Sequence, residues 1–162
     1  MIKPLEDITV LDLTTALAGP FATLVLAGLG ARVVKIENPV GGGDSCRSNA
    51  PYLGSRGATL TRQHEDDISV SALNRLRNKL GVTLNLKHPQ ARIVYADLVK
   101  TADVIVENFS RGVLDRLGVG YGFAQEVNPR VVYCSITGYG SDLNATGSDK
   151  ARSGKASSGK AR

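Results

Sequence analysis

Asn108, Phe109 and Arg116 are the residues of this 162-residue chain best placed to bind a ligand. They stand in ADVIVENFSRGVLDRLGVGY (102–121). That segment reads as a short apolar strand, a polar break at Glu107 and Asn108, and a helix starting near Arg111. In an open α/β sheet, ligands occupy the crevice beyond the carboxyl ends of the strands, and these three residues fall at such a place. A guanidinium takes a phosphate through two N–H bonds, and an aromatic ring can cover a flat base. Arg116 has a plainer reading as well, since most helix arginines stay in water.

The other reactive groups form poorer constellations. His64-Glu65-Asp66-Asp67 sets one histidine beside three acids without metal-ligand spacing, so a solvated loop is expected and no metal site. His88 precedes Pro89 at a helix start. Ser135 lies near a strand end, but no G-x-S-x-G elbow surrounds it. Cys46 and Cys134 show no CxxC spacing. Cys134 stands in the apolar run VVYCSIT and is expected as a buried, reduced thiol. Cys46 stands in a Gly-rich loop, with no base near it in sequence.

The first βα turn, TTALAGPFATLVLAGLG (14–30), could hold a phosphate on the free N–H groups of a helix start. A dinucleotide fold would need GxGxxG there, and the turn has only Gly19. Glu37 ends the next apolar run, where such a fold keeps its ribose acid. One half of the fingerprint without the other argues against NAD or FAD. A tight strand-to-helix turn accounts for Gly19 and Pro20 with no ligand at all.

The elements that would position these residues follow a βα rhythm. Apolar, β-branched runs occur at 8–14, 31–37, 102–108 and 130–137, with a weaker one at 81–87. Nearly continuous apolar runs fit parallel strands covered on both faces. Helices are expected at 20–29, 89–101 and 113–117, the second with Ile93, Val94, Leu98 and Val99 at helical spacing. The alternation predicts an α/β fold, an open and mostly parallel sheet with flanking helices. Residues 38–70 break the rhythm and read as a long irregular loop.

Composition excludes several functions. The apolar fraction of 42% and the 22% of charged residues are those of an ordinary soluble protein. No apolar run reaches the length that spans a bilayer. Glu6, Asp7 and Asp12 interrupt the N-terminal segment where a signal peptide is apolar, so a cytoplasmic protein is expected. The net charge of +5 belongs mostly to 147–162, where Lys150, Arg152, Lys155, Lys160 and Arg162 face only Asp149. A basic Gly/Ser tail of this kind is no nucleic-acid surface.

Several motifs occur in a fixed order: Asp12-Leu13-Thr14, Ala18-Gly19-Pro20, Leu29-Gly30-Ala31, Val34-Lys35-Ile36-Glu37, and Gly43-Asp44 followed by Arg47. NRLRNKLGVTLNLKHP, ADVIVENFSRGVLDRLG and NPRVVYCSITGYG come after them. In this order they resemble the family III CoA-transferases, the group that includes formyl-CoA transferase, the carnitine CoA-transferases and α-methylacyl-CoA racemase. The resemblance covers residues 1–140 and implies a Rossmann-like fold. It implies that backbone at Ala16, Leu17 and Ala18 contacts coenzyme A, as do Asn108 and Phe109. Val113 then lies on the cofactor side, and Arg116 pairs with phosphate or the adenine end. Lys79 matches a family cation, read either as a ligand to phosphate or as a surface charge. Leu80 replaces the family's usual arginine, for which Arg75 or Arg77 could substitute, and Asn38 stands where another arginine is common.

The resemblance also implies an activity. Family members move CoA from an acyl-CoA to a carboxylic acid through an aspartyl anhydride, with no permanently bound cofactor, as interlocked homodimers. The aspartate belongs to a region after the GYG segment, so no catalytic residue is assigned in this chain. Asp142 and Asp149 are not taken for it. The expected organisation is an incomplete CoA-binding domain at 1–140 and a polar, basic tail at 141–162. Two alternatives stay open: a fragment of a racemase-like enzyme, and a stand-alone CoA-binding module without catalysis.

Overall fold

The computed structural model describes residues 3–138 and Gly140. Its elements in chain order are β1 (Thr9–Asp12), α1 (Ala18–Gly28), β2 (Arg32–Glu37), β3 (Tyr52–Gly54), β4 (Gly57–Thr59), β5 (Ile68–Ser69) and α2 (Val70–Arg75). They continue with β6 (Leu80–Thr83), α3 (Ala91–Lys100), β7 (Val104–Glu107), α4 (Val113–Arg116), α5 (Tyr121–Val127) and β8 (Val132–Ser135). A 3-10 turn, Ser45–Ser48, precedes β3.

The main sheet is parallel throughout, in the order β6-β2-β1-β7-β8. The chain builds outward from β1 to β2 and β6, then returns to place β7 on the other side of β1. The strand order therefore reverses between β1 and β7, which is where an open sheet of this class opens a crevice.

Side-chain alternation divides the core into two layers. Val10, Val33 and Val106 pack with Ala27 and Ala31. This layer lies under α1. Leu11, Leu13, Val34, Ile36 and Ile105 point the other way, onto Tyr95, Val99, Leu114, Val119 and Ala124 from α3, α4 and their neighbours. Both faces of the central strands are thus covered, which is why their sequences are almost wholly apolar.

The structure extends the sequence reading in two places. The stretch 38–70 is not a bare loop: it carries a small antiparallel sheet, β4-β3-β5, and leads directly into α2. Helix α5 was not foreseen either. In one respect the expectation is corrected. Cys134 is exposed, not buried. It lies on β8, an edge strand whose neighbour Val132 is 62% exposed, so that face lacks a covering layer among the described residues. Among the same residues no helix is long and apolar enough to cross a membrane. The expected tail at 141–162 lies outside the described residues.

Candidate functional site

Beyond Asp12 the chain leaves β1 and turns tightly into α1. Gly19 is required there, because a Cβ at that position would lie 2.2 Å from the Thr14 Cβ. Pro20 falls in the first turn of α1, where a missing N–H costs nothing. Ala16 adopts a left-handed conformation with φ of 68°. Three elements grip this turn. Asn108, just after β7, accepts the Thr15 N–H and donates to the Thr15 carbonyl, each at 2.8 Å. Asp44 accepts the Ala16 N–H at 3.0 Å. Arg75, at the end of α2, donates to the Ala16 carbonyl at 3.1 Å.

A cavity of about 300 Å³ opens beside the turn. Leu13, Ile36, Leu84 and Leu86 line it from the strand ends, and Phe109, Val113 and Leu117 from the β7–α4 side. Glu37, Asn38, Asp44 and Lys87 supply polar groups at its wall. An apolar hollow with a few placed polar groups is the usual form of a small-molecule site. Phe109 is held at its backbone, whose N–H donates to Glu107 Oε2 at 2.8 Å.

Beneath the turn lies a network of buried charge. Asp12 accepts from the Thr14 and Thr23 hydroxyls, at 2.5 and 2.6 Å. Lys79 Nζ lies 2.9 Å from Asp12 Oδ2 and also donates to Thr23 Oγ1 and the Pro20 carbonyl. Lys35 Nζ lies 3.2 Å from Asp44 Oδ2, 3.7 Å from Asp12 Oδ1, and donates to the Thr14 carbonyl. Two acids and two lysines balance, as burial demands. Burial pushes the Lys79 ammonium below its ordinary pKa, against the pull of Asp12. Burial works against an ionised Asp44, but the Cys46 and Ala16 N–H donors and the Lys35 charge outweigh it, so its pKa is lowered.

At the outer edge Arg47 clamps Glu37 through two bonds of 2.8 and 2.6 Å. That clamp holds the Glu37 carboxyl below the usual range, overcoming the opposing effect of its burial. Glu37 Oε1 also accepts the Asp44 N–H at 2.8 Å. The Cys46 thiol is fully buried, and burial with the neighbouring Asp44 charge pushes it up to about 11. With its pKa raised so far by burial, Cys46 is a neutral thiol at physiological pH.

The expected residues are therefore distributed as follows. Ala16, Leu17 and Ala18 form the turn and the start of α1, with Leu17 56% exposed. Asn108 clamps that turn, and Phe109 and Val113 line the cavity. Arg116 is exposed on α4, one helical turn after Val113. Lys79 is placed elsewhere: its side chain is 1% exposed and its ammonium is spent on Asp12, not offered to the crevice. Arg75 reaches the turn, whereas Arg77 bonds Asn74. The sequence reading placed Lys35, Leu84 and Lys87 in motifs but assigned no site role to them or to Leu86. Lys35 carried a signal of its own, as a charge inside the apolar strand VVKIE.

Comparison with known proteins gives this geometry a context. The chain is 41% identical to human succinyl-CoA:glutarate CoA-transferase over 139 residues, which covers 86% of this chain and 29% of that protein. It is 41% identical to the acetyl-CoA:oxalate CoA-transferase of Acetobacter aceti over 137 residues, covering 85% of this chain and 32% of that one. A hypothetical protein of Mycobacterium tuberculosis superposes with a TM-score of 0.73 at 34% identity, covering 87% of this chain and 35% of its own. A CAIB/BAIF family protein from Brucella suis gives 0.73 at 33% identity, over 85% and 34%. The chain thus spans about a third of the length of the relatives it matches. Residues 5–161 match the family model described as CoA-transferase family III, and with these likenesses in sequence and fold the chain belongs to that family.

Proposed function

We propose that this chain is the coenzyme A-binding N-terminal part of an enzyme that moves CoA from an acyl-CoA to a carboxylic acid. The observation that carries the reading is the junction of β1 and β7. There Asn108 closes the Thr15 peptide at the strand-order reversal, beside an apolar cavity lined by Phe109 and Val113. In this reading the backbone at Ala16, Leu17 and Ala18 contacts the cofactor, Phe109 and Val113 cover its apolar parts, and Arg116 meets a phosphate or the adenine end.

In the whole enzyme an aspartate carboxylate attacks the acyl-CoA carbonyl. The C–S bond breaks, CoA leaves as thiolate, and a mixed anhydride forms. The thiolate then attacks the aspartyl carbonyl, releasing the donor acid and leaving an enzyme-bound thioester from which the acceptor acid takes CoA. Covalent catalysis of this kind divides one hard step into easier ones. No residue of this chain is assigned as that aspartate. The reading includes a homodimeric, cytoplasmic enzyme without a resident cofactor.

Calorimetric titration of the 162-residue chain with CoA, and separately with NAD, tests it. CoA binding that weakens in N108A and F109A is the expected result. Preference for NAD, or no CoA binding by folded protein, would overturn it.

A further inference from the structure

Ala16 has a φ of 68°, a conformation that strains any residue carrying a Cβ. Such a conformation persists only where the surroundings impose it. At Ala16 the N–H is taken by Asp44 Oδ1, and that oxygen also accepts the Cys46 N–H at 2.9 Å. Asp44 is 2% exposed. Its other oxygen faces Lys35, which is equally buried and also donates to the carbonyl of Thr14, two residues before Ala16. Its own N–H is fixed by Glu37. A carboxylate enclosed in this way is costly to bury, and its contacts converge on the conformation of one turn. With the Ala16 N–H directed to Asp44, the N–H groups of Leu17 and Ala18 make no hydrogen bond among the described residues.

Resting on the CoA reading above, we propose that Asp44 is a positioning residue for coenzyme A: it imposes the left-handed Ala16 and so presents the Leu17 and Ala18 backbone to the ligand, with Lys35 setting Asp44. The paired charge is the means, and the acceptor oxygen is the function. Removing both charges while keeping the oxygen therefore preserves binding.

Two double variants separate these roles. D44N/K35M keeps an amide oxygen for Ala16 and removes one charge of each sign. D44V/K35M keeps a similar shape and removes the acceptor. CoA affinity within about threefold of wild type is expected for the first, and a loss of about tenfold or more for the second, the worth of one such hydrogen bond. Equal CoA affinity in the two variants, both folded by circular dichroism, would overturn the role of Asp44 while leaving the CoA reading intact. A wild-type chain that fails to bind CoA would overturn that reading first. Should D44V/K35M fail to fold, amide exchange in the wild type decides. Slow exchange at Ala16, with CoA shifting the Leu17 and Ala18 amide resonances, is expected. Exchange at Ala16 as fast as in an unfolded peptide overturns the proposal.

Discussion

Asn108 pairs with Thr15 as one strand pairs with another: its amide oxygen accepts the Thr15 N–H and its amide nitrogen donates to the Thr15 carbonyl. The pair joins the ends of β1 and β7 at the point where the strand order reverses. N108A removes both bonds, at a cost of about 1–2 kcal/mol for two modest hydrogen bonds at a solvated turn. N108D keeps the acceptor and loses the donor, so it should fall between. Urea unfolding of the three proteins checks the order.

Lys79 matched a family cation, yet its ammonium lies on Asp12 under α1. K79M should leave Asp12 short of charge and destabilise the fold by about 3–5 kcal/mol, the usual cost of breaking a buried pair. Chemical denaturation reads this directly. A K79M chain of wild-type stability that has lost only CoA affinity would return Lys79 to the ligand.

Acid should weaken the fold through Glu37 and Asp44. Both have pKa values lowered by folding. Their contribution is fully present above the unfolded values of about 4.3 and 3.9, and is lost as the pH falls through the lower folded values. E37Q/R47M removes one of the two, so its stability should fall less steeply below about pH 4 than that of the wild type. Unfolding midpoints measured across the acid range test the sign.

Of the two cysteines, Cys134 is exposed and Cys46 buried. A thiol reagent should therefore label Cys134 quickly in native protein, and Cys46 only after denaturation. Mass spectrometry after brief labelling distinguishes them. Rapid labelling of Cys46 would contradict its place beneath the turn.

G19A should be severe for a small change. The added carbon would meet the Thr14 side chain, which is itself buried and bonded to Asp12. Overpacking of this kind costs about 1–3 kcal/mol. Thermal unfolding measures it.

Much of this architecture is legible in the sequence because the central strands are buried on both faces and write themselves as apolar runs. Asn108 and Phe109 could be placed at the crevice for the same reason, since they follow such a run. The charge network was harder to read. Lys35 interrupts VVKIE, but its partner Asp44 lies in a glycine-rich loop whose path no periodicity describes. The strands β3, β4 and β5 are two or three residues long, too short for alternation to register. Cys134 was misplaced because an apolar run does not reveal whether its strand is central or at an edge.

The Thr15–Asn108 clamp joins residues 93 apart in the chain. β1, α1 and β2 can assemble from neighbouring sequence, whereas the clamp closes only after β7 has inserted beside β1, across a long loop with its entropic cost. The crevice is therefore a late event in folding. A growing chain that has made its first βαβ unit still has no site, and a ligand that needs the clamp would recognise only molecules that have completed the sheet's reversal.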